Sequence, residues 1–165
     1  MLKIIKNLNF KIIPVQIFIF AFWFKNGFID KLFGITVNIL FPKIAYHGDS
    51  WAGWESYITG NWDKSWIGHL FFTPIYPIMF PLIIVLQCLP AVILIVAIFK
   101  GEFLDNRQIK FTQHAATASL FITSVLLFSQ TLTGSPDGQY LWQLLGLSLV
   151  VKIYLSTLEN MNKNA

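Results

Sequence analysis

The sequence predicts an all-α membrane protein, a bundle of four transmembrane helices with an interfacial, aromatic-rich segment between the first and second. Three observations carry this. The run Ile78–Phe99 reads IMFPLIIVLQCLPAVILIVAIF and holds no charge. As a helix it covers about 33 Å, enough to cross a hydrocarbon core of about 30 Å, and it lacks the polar face a soluble helix of that length keeps for water. Hydrophobic residues make up 55% of the 165 and charged residues only 12%, outside the soluble range. Further apolar runs lie on either side of this one, separated by segments that hold most of the charge.

The first span is predicted over residues 12–33. Lys3, Lys6 and Lys11 precede it, as in a signal peptide, but no small-residue cleavage site follows, so the helix is expected to be retained. Pro14 falls in its first turn, where a missing N–H costs least. The loop 34–77 comes next. Its Trp51, Trp54, Tyr57, Trp62 and Trp66 suit the boundary between headgroups and hydrocarbon. Trp51, Trp54 and Ile58 share one face of a short helix that Asp49 or Ser50 can cap, so this segment is expected along the membrane surface. Pro74, Pro77 and Pro81 predict an irregular piece before the second span, 78–99, and Pro90 predicts a kink within it.

A charged turn at 100–110 leads to the third span, 111–130. Its Thr117, Ser119, Thr123 and Ser124 are small polar residues of the kind that let helices approach and bond across a bundle. Thr133-Gly134-Ser135-Pro136-Asp137-Gly138 is a tight turn. The fourth span covers 140–156, with Lys152 able to snorkel at its end, and a polar tail follows. Lysine and arginine gather at the N-terminus, in the 100–110 turn and at the C-terminal end, while the 131–139 turn has none; the first loop has Lys25, Lys31, Lys43 and Lys64 but is long and carries equal acid. The positive-inside rule therefore puts both termini and the 100–110 turn in the cytoplasm, in the inner membrane. The formal charge of +4 belongs to this pattern and gives no nucleic-acid signal. Cys88 is the only cysteine, which excludes an internal disulfide, a CxxC pair and a cysteine metal site; its simplest role is that of a small buried hydrophobe.

Candidate site residues are few. Lys25 lies inside the first span, where a buried cation is expensive, and a structural role requires it to snorkel or to pair with Asp30 or Glu55. Gln87 falls mid-span, where its amide needs partners; Thr117, Ser119 or Thr123 can supply them, or else a carbonyl-bearing ligand such as a quinone head group. His69 precedes the second span at its outer end, within reach of Gln130, Gln139 and Gln143. A bis-histidine haem is excluded, since His69 and His114 are expected nearly a membrane thickness apart, roughly 25 to 30 Å. His47 and His69, with Asp49 or Glu55, lack metal-ligand spacing, so no metal is expected. No phosphate loop, nucleophile motif or HExxH is present, which argues against a hydrolase.

Four short stretches resemble the DoxX family of small four-helix membrane proteins. Gly27-Phe28-Ile29-Asp30-Lys31-Leu32-Phe33 is similar to that family's G-x-x-K-L-F signature. Pro81 to Phe99, followed by the turn with Arg107, resembles its second helix. Phe128-Ser129-Gln130-Thr131-Leu132 and Gln143-Leu144-Leu145-Gly146 are placed like the closing helices. Gln87 stands where the family usually has an acid, Ala91 where a glycine is common, and the 46–66 insert is long. The resemblance implies an inner-membrane subunit of a quinone-linked redox complex, with redox subunits as partners beside the lipid bilayer. In that reading His69, Gln87 and Lys25 hold a quinone or its proton path. The alternatives are a non-catalytic accessory or scaffold subunit and, third, a small transporter. The transporter ranks last because the chain has no repeat and few buried charges.

Overall fold

A computed structural model describes residues 8–34, 36, 40, 56, 59–105, 107–133 and 138–163. Among these the chain is all helical. Helix α1 (Ile13–Trp23) carries Pro14 in its first turn and runs directly into a π-helical segment, Phe24–Phe33. A π-helical turn (Gly68–Phe72) and a 3-10 turn (Thr73–Ile75) lead into α2 (Tyr76–Phe99). Helices α3 (Lys110–Thr133) and α4 (Gly138–Lys163) complete the fold. The segment before Ile78, expected to be irregular, is helical but unevenly wound, and it joins α2 without a break. Pro74 and Pro77 permit this because each falls in the first turn of its element, where no intrahelical N–H is needed.

Three helical stretches are long and apolar enough to cross a membrane: Gly68–Phe99, Lys110–Leu132 and Gln139–Met161. Only 28% to 39% of their most apolar windows is buried inside the protein. Ile78, Leu82 and Val85 on α2, Phe121 and Phe128 on α3, and Val150 and Ile153 on α4 all face outward. Meanwhile Gln16, Gln87, Thr112, Gln113, Ser119, Thr123 and Ser148 are buried. Water does not tolerate so wide an apolar surface, whereas lipid requires it. The distribution is compatible with an integral membrane protein.

Helix α3 packs on α2 and α4, and α2 packs on α1 and its continuation. The main core joins Ile19 and Trp23 of α1, Ala91, Leu94 and Ala97 of α2, Ala115, Ala116 and Ile122 of α3, and Leu155 of α4. Its alanines allow close backbone approach, the usual means of helix packing in lipid. A second cluster joins Trp62 to Tyr76, Phe80, Ile84 and Cys88. Trp62 is thus an interior residue rather than a surface anchor, while Trp66 stays exposed. Cys88 is buried, as expected of a small hydrophobe.

The turn between α2 and α3 is closed by its own hydrogen bonds. Gly101, at φ +70°, ends α2 in the left-handed conformation. The N–H of Glu102 then donates to Ala97 O, and that of Gly101 to Ile98 O, which together form a Schellman motif. The carboxylate of Glu102 turns the other way. It accepts the N–H groups of Phe111 and Thr112, at 2.7 and 2.8 Å, and so caps α3. The N-terminal strand of chain is fastened to the same turn, with Asn9 N–H donating to Phe103 O and Leu8 bridging Leu104.

Candidate functional site

The π-helical winding after Trp23 explains where Lys25 goes. In an α-helix, residues five apart point in different directions, whereas a π-helical turn closes at i+5. Lys25 and Asp30 are therefore brought onto one face, and the two form an ion pair. This fits the structural role the sequence allowed for Lys25. The same segment carries Gly27, on which a Cβ would lie 2.9 Å from the backbone carbon and oxygen of Gln87. Only a glycine lets the first helical segment approach α2 so closely.

Gln87 is buried, and its Oε1 has no hydrogen-bond partner among the described residues. The expected donors across the bundle are turned elsewhere: Thr117, Ser119 and Thr123 each donate to the carbonyl four residues earlier on their own helix. This local bond satisfies a hydroxyl without help from a neighbouring helix, so the amide oxygen of Gln87 receives nothing from them.

His69 sits at the start of the long α2 segment, exposed, with Nδ1 3.0 Å from Asp63 Oδ1. The hydroxyl of Thr73 donates to the same carboxylate oxygen at 3.0 Å. Gly68 makes this corner possible, since a Cβ there would lie 2.1 Å from Trp62 O. The bonds from His69 and then Thr73 hold the Asp63 carboxyl below its ordinary range. With Nδ1–H donated to Asp63, Nε2 is the acceptor nitrogen of the neutral ring. The arrangement is an oriented base at the end of a span, flanked by exposed Trp66, Leu70 and Phe71.

Gln87 lies about 27 Å beyond His69 along the same helical segment. His69, Gln87 and Lys25 thus occupy different surroundings, and one head group does not touch both His69 and Gln87. His114 lies one turn into α3, against the ring of Phe111. The 24 residues of α2 put it about 36 Å from the His69 end. No cluster of metal-ligating residues occurs among the described residues. His47, Asp49, Ser50, Trp51, Trp54, Glu55, Tyr57, Ile58 and the turn at 134–137 lie outside the described residues.

Two polar groupings at the opposite end were not anticipated. Gln16 donates to Thr112 Oγ1 at 2.8 Å, and Thr112 donates in turn to Glu102 at 2.8 Å. On the adjoining side, Lys152 donates to Gln113 Oε1 at 2.6 Å, while Gln113 donates to Glu159 at 3.3 Å. Lys152 does not snorkel freely but clasps α4 to α3. Thr112 and Gln113 are neighbours in sequence, so one turn of α3 holds both the α1 side and the α4 side. An acid in a turn shortly before a helix start was the available signal for Glu102.

No protein family, curated protein or solved structure matches the chain.

Proposed function

We propose that the chain is a four-span inner-membrane protein, DoxX-like, with both termini cytoplasmic, serving as a membrane subunit of a quinone-linked redox complex. The observation that carries this reading is the Asp63–His69–Thr73 arrangement at the end of an apolar span. Reducing a quinone takes two electrons and two protons. The partner redox subunit supplies the electrons, and the protons pass singly from outside water through the imidazole. Asp63 fixes the orientation of the ring. Gln87 and Lys25 serve packing in this scheme rather than the head group.

A second reading, a non-catalytic accessory subunit, is favoured by the separation of His69 from Gln87 and by the pairing of Lys25 with Asp30. One experiment divides the two. The protein is extracted in mild detergent, co-purifying proteins are identified by mass spectrometry, and an organic extract is assayed for quinone. Quinone near one per chain with a redox partner, and turnover lost in a folded His69→Ala variant, supports the first reading. A stoichiometric partner without quinone, and no effect of His69→Ala, replaces it with the second.

A further inference from the structure

A pocket of about 300 Å³ opens at the end of the bundle where α1 begins, lined by Leu8, Asn9, Phe10, Lys11, Ile12, Asp105 and Leu158. That volume is at the lower end for small-molecule sites. We propose that it holds the phosphoethanolamine headgroup of a membrane phospholipid, with the phosphate on Lys11 and the ammonium on Asp105.

Depth is the first argument. The pocket lies just outside Ile13, the first residue of α1, just beyond Phe99, the last of α2, and near Met161, where the α4 span ends. These positions mark the edge of the hydrocarbon, where headgroups sit. Phe10, exposed beside the pocket, suits the same layer. Charge is the second argument. Lys11 and Asp105 line one pocket, yet they form no ion pair with each other. A cation and an anion that line one small pocket without pairing match a ligand that carries both signs. An anionic headgroup would meet repulsion from Asp105, and a trimethylammonium group has no N–H to donate to it. Arg107 and Lys110 are exposed on the same turn but do not line the pocket.

The walls are also fixed in place. Asn9 N–H bonds Phe103 O, the Leu8–Leu104 bridge joins the two sides, and the hydroxyl of Tyr154 on α4 donates to Lys11 O at 3.1 Å. A site whose walls are tied loses little freedom on binding.

The test is native mass spectrometry of the full chain in detergent, titrated with phosphatidylethanolamine, phosphatidylcholine and phosphatidylglycerol. The wild type is expected to retain phosphatidylethanolamine above the other two. Asp105→Asn should lower that retention roughly threefold to fivefold, the scale of one exposed ion pair, without lowering phosphatidylglycerol. Lys11→Gln should lower both, and Lys110→Gln, outside the lining, should lower neither. All three side chains are exposed, so the fold should persist in each variant. Equal retention of phosphatidylethanolamine and phosphatidylcholine by the wild type, or an Asp105→Asn variant that binds as the wild type does, overturns the proposal. Displacement of the lipid by free phosphoethanolamine at equal concentration overturns the lipid as the source of the headgroup.

Discussion

At the scale of single residues, Gln87 offers the sharpest test. Its Oε1 is buried without a partner among the described residues, and an unmade hydrogen bond of this kind costs about 1–3 kcal/mol. Gln87→Leu removes the acceptor and keeps most of the volume. We expect unchanged or raised thermal stability in detergent, by up to about 1 kcal/mol. Loss of electron transfer with the fold intact would assign the amide to a ligand instead. Asp63 gives a pH prediction. Its carboxyl is held below the ordinary value of 3.8 by His69 and Thr73. A depressed carboxyl contributes stability that is fully present above the unfolded value and is lost as pH falls through the folded one. The Asp63–His69 contact should therefore persist from neutrality down to about pH 4 and open only below it. Carbon NMR of the labelled Asp63 carboxyl checks this, and a midpoint above 3.8 would contradict it. Lys25 was legible in part, because a cation in a span must find an anion and Asp30 was named as one. The winding that joins them was not legible, since helical periodicity assumes α geometry throughout.

Elements were read more reliably than contacts. The uncharged run 78–99 lies within α2, Tyr76 to Phe99, and the runs expected at 111–130 and 140–156 lie within helices that extend past both ends of each. The α4 helix continues to Lys163 because Lys152 and Glu159, which looked like a polar end, are both bound through Gln113 of α3. Such pairing depends on helix rotation, which hydropathy does not encode. Glu102 shows the same limit. It lies in a charged turn, yet it is buried and closes both flanking helices. Glu102→Ala removes a charged acceptor from two N–H groups and one hydroxyl. We expect a loss of about 2–4 kcal/mol, seen as a lowered melting temperature. Glu102→Gln, which keeps one acceptor oxygen uncharged, should lose less. Equal melting of the wild type and Glu102→Ala would remove the turn from the account of stability. Gly27→Ala tests the contact between the first helical segment and α2. A Cβ there must displace backbone, so a loss of about 1–3 kcal/mol is expected from overpacking.

For the whole molecule, the first helical segment sets the number of spans. Its 11 α-helical residues rise about 16 Å. The following 10 would add about 15 Å at α-helical rise, but π-helical winding puts more residues into each turn and so advances less. The segment therefore reaches slightly less than a hydrocarbon thickness and carries Lys25, Asp30 and Lys31 in its second half. The segment packs along α2 from Ile19 to Phe28, beside a helix long and apolar enough to cross a membrane. Single cysteines in a Cys88→Ala background give the measurement. Asn9→Cys and Gln108→Cys should react from one side, because the chain at Leu8 and Asn9 is fastened to the α2–α3 turn. Lys64→Cys, before α2, should react from the other. Thr36→Cys, exposed just beyond the π-helical segment, is decisive. Reaction together with Lys64→Cys means that the first segment crosses and the bundle has four spans. Reaction together with Gln108→Cys means that the first segment enters and returns without crossing.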